Sequence, residues 1–208
     1  MATSTVRFQQ MLAWLMADVM FGRAHFMITR GLSRADRVVL DTAPKFFDLT
    51  RDAHADEAQL AAARIFDRSS GVSIHKLMSS ALKEASSFKH GTEVEVRKLV
   101  AEAKASVMAL EPIVSALRTR RNETIAHADT RPIIDPQGYV QAGRIGYREL
   151  WKLFEQTGLI LNKFSLLYRG ASVVLDIKGV KDYEQALDLI AKAIRKTASN
   201  QDTTVRNA

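Results

Sequence analysis

Helical periodicity runs through this chain almost from end to end, and it limits the possible folds more than any other feature of the sequence. Apolar residues recur at helical spacing, whereas the alternation of β-branched residues that marks strands is nearly absent. The pattern predicts an all-α protein, a bundle of about five to seven helices. A first helix is expected from about Thr5 to Thr29. Its apolar face is formed by Phe8, Leu12, Leu15, Val19, Ala24 and Phe26.

Local capping signals predict where the other helices begin and end. Pro44 stands where a first helical turn tolerates a missing N–H, and this second major helix is expected to reach about Asp67. Thr92 and Glu95 spell a capping box, and Pro112 begins a new helix or a kink. The other expected elements are a short piece capped by Ser33 and Asp36, a third major helix from Ser73 to Phe88, a loop at 130–146, and helices at Tyr147 to Tyr168 and Lys181 to Thr197. In the second major helix the residues expected on the apolar face are Phe46, Phe47, Leu49, Leu60, Ile65 and Phe66.

The length of 208 residues predicts one domain, residues 1–198, followed by a disordered polar tail at 199–208. The chain has no cysteine, which excludes disulfides, thiolate metal ligands and thiol catalysis. The apolar stretch from Phe8 to Ile28 is interrupted by polar and charged residues, so neither a signal peptide nor a membrane span is expected. We therefore expect a cytoplasmic protein.

One segment carries a recognisable chemical pattern. Arg121 is followed directly by Asn122, and His127 comes after four further residues. This arrangement resembles the signature of the HEPN superfamily, an Arg and a His separated by four to six residues with Asn or Asp directly after the Arg. It is most similar to the abortive-infection, AbiU-type branch, where a nearby Asp, here Asp129, recurs. Related stretches across residues 43–165 are Ala43-Pro44-Lys45-Phe46-Phe47, Ala63-Arg64-Ile65-Phe66-Asp67 and Arg144-Ile145-Gly146-Tyr147.

The resemblance implies an all-α, HEPN-like bundle that forms a two-fold homodimer. In active HEPN members it implies metal-independent cleavage of RNA at a cleft between the two protomers. By that resemblance Arg121 and His127 act together on a phosphate, and Asn122 helps to position the arginine. Other members of the superfamily are noncatalytic and bind nucleotides, RNA or proteins.

The residue chemistry is compatible with RNA cleavage. Attack of a ribose 2′-OH on the neighbouring phosphate needs a proton acceptor, a proton donor and a fixed positive charge, and imidazole and guanidinium supply these near neutral pH. On a straight helix, positions six apart differ by roughly 120°, so Arg121 and His127 would not share a face. A two-fold dimer could bring an arginine and a histidine from different protomers together.

A simpler interpretation of the motif remains open. Cations near the end of a helix interact favourably with its last carbonyl groups, and Glu123 can support His127 at the i, i+4 spacing. The basic cluster has two equally weighted interpretations as well: it binds RNA phosphates, or it is a solvated face. Besides Arg121, its members are Arg118, Arg120 and Arg131.

The remaining residues suggest no other chemistry. His25, His54, His75 and His90 show no zinc-binding spacing, and there is no nucleophile elbow or glycine-rich phosphate loop, so we expect neither a metal nor a cofactor. The net charge of +7 favours polyanionic partners. The sequence thus predicts a dimeric endoribonuclease that cleaves single-stranded RNA and acts in phage defence or as the toxin of a toxin–antitoxin pair. Its expected protein partner is a cognate antitoxin or another defence protein. The alternatives are a noncatalytic HEPN module and a purely structural bundle.

Overall fold

The structure is a computed structural model that describes residues 4–121 and 145–206, with side chains described for 7–121 and 145–197. Every regular element within these ranges is helical, which confirms the all-α prediction. The helices are α1 (Ser4–Leu32), α2 (Arg37–Leu40), α3 (Pro44–Phe66), α4 (Ile74–Lys83), α5 (Glu93–Ala109), α6 (Glu111–Arg120), α7 (Tyr147–Arg169) and α8 (Asp182–Arg206), with a 3₁₀ turn at Ala85–Ser87.

Local hydrogen bonds at the helix starts account for most of these boundaries. The hydroxyl of Thr92 accepts from the backbone N–H of Glu95, and the Glu95 carboxylate accepts in return from the N–H of Thr92. Asp36 caps α2, and Ser73 caps α4. Pro44 is the first residue of α3. These structural caps confirm the predictions for Thr92, Asp36, Ser73 and Pro44. The prediction for Ser33 was wrong, because its hydroxyl donates to the carbonyl of Thr29 in α1 instead of capping α2.

The core lies where α1 packs between α3 and α7, and α4 and α5 close the bundle on the side of the α1 N-terminus. All six residues predicted for the apolar face of α1 are buried. Phe8 contacts the rings of Phe88 and Phe164, with centroid separations of 5.0 and 6.2 Å. α6 packs against the C-terminal half of α3, so the end of α6 has a fixed position on the bundle.

Helix α1 is also long and apolar. By length and composition the stretch Arg7–Leu32 could cross a bilayer, and 44% of its most apolar window is buried inside the protein. A core helix of a helical bundle meets the same criteria of length and composition.

Two features differ from the sequence-based expectations. The described residues contain eight helices, because the four-residue α2 is a helix of its own. Phe46 and Leu49 were predicted on the apolar face of α3 but are exposed; burial in α3 begins only at Ala58, where the other helices cover it. Helix α8 extends to Arg206, and the disordered tail expected at 199–208 stays a prediction.

Candidate active site

Arg121 directly follows the last residue of α6, and the buried face of that helix sets its direction. Val114 and Leu117 are buried against the rest of the bundle. Arg118 and Arg121 each lie one turn further along the same face, because residues four apart in a helix are neighbours. Packing of the two apolar residues therefore directs both arginines toward the C-terminal end of α3.

Asp67 receives the guanidinium of Arg121 at that end of α3. Nη1 of Arg121 donates to Oδ2 of Asp67 at 2.9 Å, and both side chains are partly buried. Oδ1 of Asp67 accepts from the hydroxyl and the backbone N–H of Ser69, at 2.7 and 2.9 Å. The pKa of Asp67 is lowered to about 2, and the hydrogen bond from the Ser69 hydroxyl is the largest cause. Burial raises this pKa, but the Ser69 N–H and Arg121 lower it further. Asp67 is thus a carboxylate at neutral pH and fixes one side of Arg121.

Arg118 and Arg120, which were predicted to bind RNA with Arg121, lie on different sides of α6. Arg118 lies on the same side of α6 as Arg121 and approaches Glu111, with Nη2 3.8 Å from Oε1. Arg120 lies on a different side and approaches Asp56 at 3.8 Å. Both separations exceed hydrogen-bond length, and ion pairs of this kind in partly exposed positions stabilise little. Each carboxylate nevertheless offsets positive charge that a phosphate would otherwise meet.

Arg120 and Arg121 also line different cavities near the motif. Arg120 borders a cavity of about 400 Å³ between α3 and the start of α7, together with Gln59 and Tyr147. Arg121 borders a crevice of about 10 Å³ between α3 and α6. This crevice is too small for a nucleotide.

Several predicted site residues lie outside the described part of the chain. These are Asn122, His127 and Arg131, together with Asp129. The pairing of Arg121 with His127 therefore stays a prediction, as does the contribution of Arg131 to RNA binding.

The sequence missed a histidine pair. His25 in α1 and His54 in α3 lie with their Nδ1 atoms 2.7 Å apart. Their spacing in the sequence did not suggest this contact. Arg64 lies nearby and pairs with Asp18 at 3.2 Å and with Glu57 at 3.4 Å. A separation of 29 positions carries no periodic signal, so only the packing of α1 on α3 reveals the pair. Among the described residues no group of three or more His, Cys, Asp or Glu side chains is placed to hold a metal ion.

Comparison with protein families identifies the chain. The sequence model of the HEPN family AbiU2 matches residues 14–189, which is most of the chain. The protein belongs to the AbiU2 HEPN family. The match includes α3, α6 and α7, the helices around Arg121, and extends beyond the stretches that carried the resemblance in the sequence. Comparisons with curated proteins and with solved structures find no significant match.

Proposed function

We propose that this AbiU2-type HEPN protein is a metal-independent endoribonuclease that cleaves single-stranded RNA in phage defence by abortive infection, or as the toxin of a toxin–antitoxin pair. The observation that carries the proposal is the position of Arg121. Asp67 holds this arginine at the end of α6, where the signature residues of the family begin. The proposed location is the cytoplasm, where the RNA is found.

In the proposed reaction a ribose 2′-OH attacks the adjacent phosphorus, and the bond to the 5′-oxygen of the next nucleotide breaks. Imidazole of His127 serves as the acid or base, and Arg121 stabilises the negative charge that develops on the phosphate oxygens. Asn122, the next residue in the chain, helps to position the side chain of Arg121. The ion pair with Asp67 supports this role, because it limits the rotation of the guanidinium.

The active form is proposed to be a homodimer with a composite site. Arg121 and His127 would diverge by roughly 120° on one straight helix, so the arginine of one protomer and the histidine of its partner act together. An exposed apolar stripe on α1 supports the dimer. Trp14 and Phe21 are 66% and 52% exposed and lie seven residues apart, hence on one side of the helix.

A noncatalytic HEPN module that binds RNA, a nucleotide or a partner protein is the second candidate. It is favoured by the acidic neighbours of the basic cluster, since Glu111, Asp56 and Asp67 each approach one of its arginines. A phosphate would have to compete with these carboxylates. An antitoxin or a defence partner could use the same arginines for recognition.

Digestion of labelled RNA in EDTA separates the two candidates. We expect the wild-type protein to cleave, and His127→Ala to lower the rate by about 10²–10⁴ with little change in melting temperature. Arg121→Ala should give a similar loss, and the double variant should lose little more, because residues that act as a unit are not lost twice. Undiminished cleavage by the folded His127 variant would overturn the catalytic assignment; RNA binding without cleavage by the wild type would favour the noncatalytic module.

Mixing the two single variants tests the composite site. If each protomer supplies one residue to each cleft, a heterodimer of Arg121→Ala and His127→Ala keeps one intact cleft and recovers part of the activity. Each single variant alone, which can form only homodimers of that variant, is the control. No recovery in a mixture shown to exchange subunits would place both residues of a site in one chain.

A further inference from the structure

A second pocket lies next to the candidate active site, between α4, α5 and the turn after α3. It has a volume of about 480 Å³, and its rim carries the cations Arg68, Lys76 and Lys104. Glu111 is the one acidic residue among those that line it in the described part of the chain. A pocket with three cations and one carboxylate attracts phosphate groups.

The pocket and the candidate active site are linked by side chains that are shared or adjacent. Glu111 approaches Arg68 at 3.7 Å on the pocket side and Arg118 at 3.8 Å on the other. Arg68 directly follows Asp67, the partner of Arg121. A polyanion that reaches Arg121 thus has a second cationic surface next to it.

The two lysines differ from the motif arginines in their surroundings. Arg118, Arg120 and Arg121 each have a carboxylate within 4 Å. Neither Lys76 nor Lys104 forms an ion pair with any residue in the described ranges. Their ammonium groups can therefore take a phosphate without displacing a carboxylate, which makes them the more available anion ligands of the two sets.

The pocket also has an apolar part suited to a nucleobase. Met108 is 74% exposed and lines it, as does His75 at the start of α4. Burial lowers the pKa of His75, and Arg68 and Arg118 lower it further, while Glu111 opposes them. A neutral imidazole and a thioether offer a flat and an adaptable apolar surface, and bases stack on such groups with little sequence preference.

We propose that this pocket binds a nucleotide of single-stranded RNA next to the phosphate held at Arg121, with its base against His75 and Met108 and its phosphate between Lys76 and Lys104. The inference deepens the proposed function and rests on it. It assigns the substrate a path from the end of α6, past Arg68 in the turn after α3, to the pocket between α4 and α5. It also implies that the protein contacts more of the strand than the scissile phosphate.

Binding of a 2′-O-methyl oligoribonucleotide tests the phosphate contacts, because this probe lacks the attacking hydroxyl and cannot be cleaved. We expect the double variant Lys76→Gln with Lys104→Gln to weaken binding roughly ten-fold or more. It should also reduce the slope of log K against log salt by about 0.7, the value for one lost phosphate contact on a single strand. The matched control is Lys152→Gln with Lys178→Gln, which removes the same charge from exposed positions outside the pocket. Equal binding by the two double variants would overturn the proposal.

An abasic version of the probe tests the contact with the base. His75→Ala should weaken binding of the normal oligonucleotide but not of the abasic one, and the melting temperature shows whether the variant is folded. If the wild type binds both probes equally and His75→Ala changes neither, the pocket is a general polyanion site and the assignment of a nucleotide is wrong. If His75→Ala does not fold, Met108→Ala, at an exposed position, replaces it in the same comparison.

These outcomes are independent of the cleavage assay. Loss of binding in the lysine variant without any RNA cleavage by the wild type would support the pocket and contradict the proposed catalysis. Cleavage that depends on His127, together with unchanged probe binding in the lysine variant, would contradict the pocket alone.

Discussion

At the scale of single residues, the site depends on a contact between positions 54 apart in the chain, Asp67 and Arg121. The sequence predicted both the end of α3 near Asp67 and the importance of Arg121, because each has a local signal. It could not predict that the two meet, since their contact follows from the packing of α6 on α3. The same reason explains why the pair of His25 and His54 was missed.

Replacing Asp67 by Asn should change the acid stability of the protein. The folded pKa of about 2 lies below the usual 3.8, so the carboxylate contributes stability that is complete above about pH 4 and is lost as the pH falls toward 2. We expect Asp67→Asn to lower the free energy of unfolding at neutral pH by about 1 kcal/mol, a modest value because the pair is partly exposed. It should also flatten the dependence on pH in that window, as measured by urea unfolding.

The control for this prediction is Asp48→Asn, at an exposed carboxylate that forms an ion pair with Arg51 in the next turn of α3. It removes the same charge without touching α6. If both variants lose acid dependence equally, the stabilisation by Asp67 is not specific to its contacts with Ser69 and Arg121.

The histidine pair should make the protein less stable as the pH falls below neutrality. With Nδ1 atoms 2.7 Å apart, one ring donates and the other accepts, so the accepting ring is neutral. Burial is the largest cause that lowers the pKa of each histidine. Glu57 raises the pKa of His25 and Arg64 lowers it, while His25 lowers the pKa of His54. Asp18, beside Arg64, is the other charged group of the cluster. The pair thus contributes stability that is present above the usual pKa of about 6.5 and is lost as the pH falls through the lowered values.

Urea unfolding between about pH 5 and pH 8 measures this effect. We expect the double variant His25→Gln with His54→Gln to have a flatter pH dependence than the wild type, and His90→Gln, at an exposed position, to match the wild type. An unchanged profile in the double variant would show that the two rings titrate as they do in the unfolded chain.

At the scale of helices, boundaries were predicted well and burial less well. Thr92, Ser73 and Pro44 act through hydrogen bonds and backbone geometry within a few residues, so their effect can be deduced from the sequence alone. Exposure depends on which other helices cover a surface. Phe46 and Leu49 follow the helical pattern of α3 correctly, but the N-terminal part of α3 extends beyond the helices that bury its other half.

Helix α1 approaches α7 closely at Gly22, and this position should not tolerate a side chain. A Cβ there would lie 2.4 Å from two ring carbons of Phe154, which is fully buried, and 3.1 Å from Cβ of Ala61. Alanine favours a helix over glycine by about 1 kcal/mol, but overpacking of a core costs about 1–3 kcal/mol. We expect Gly22→Ala to be destabilised in urea unfolding despite the gain in helix propensity.

Gly71→Ala is the matched control, because a Cβ at Gly71 meets nothing within 4 Å. It should leave the free energy of unfolding nearly unchanged or raise it slightly. A Gly22→Ala protein as stable as the wild type would mean that α1 and α7 can separate slightly without loss.

At the scale of the whole molecule, the exposed stripe on α1 predicts how the protein assembles. Replacing Trp14 and Phe21 by Ser should convert a dimer to a monomer and, under the composite-site proposal, reduce RNA cleavage with little effect on folding. Light scattering gives the mass. Phe46→Ser with Leu49→Ser removes apolar side chains that are similarly exposed from α3, and this control should remain dimeric. A wild-type protein that is monomeric at all accessible concentrations would contradict the dimer.

The attachment of α8 has a consequence for how the molecule opens. Within the described side chains, α8 buries only Ala191 and is held by a few contacts: the Tyr183 hydroxyl donates to the Met27 carbonyl at 3.1 Å, and Arg195 pairs with Asp36 at 3.0 Å. Little apolar area is exposed when such a helix detaches, so its opening costs much less than unfolding of the whole bundle. Its amide hydrogens should therefore exchange with deuterium long before those of α1 and α7, and the native state should include a minor population in which the C-terminal helix is released while the rest stays folded.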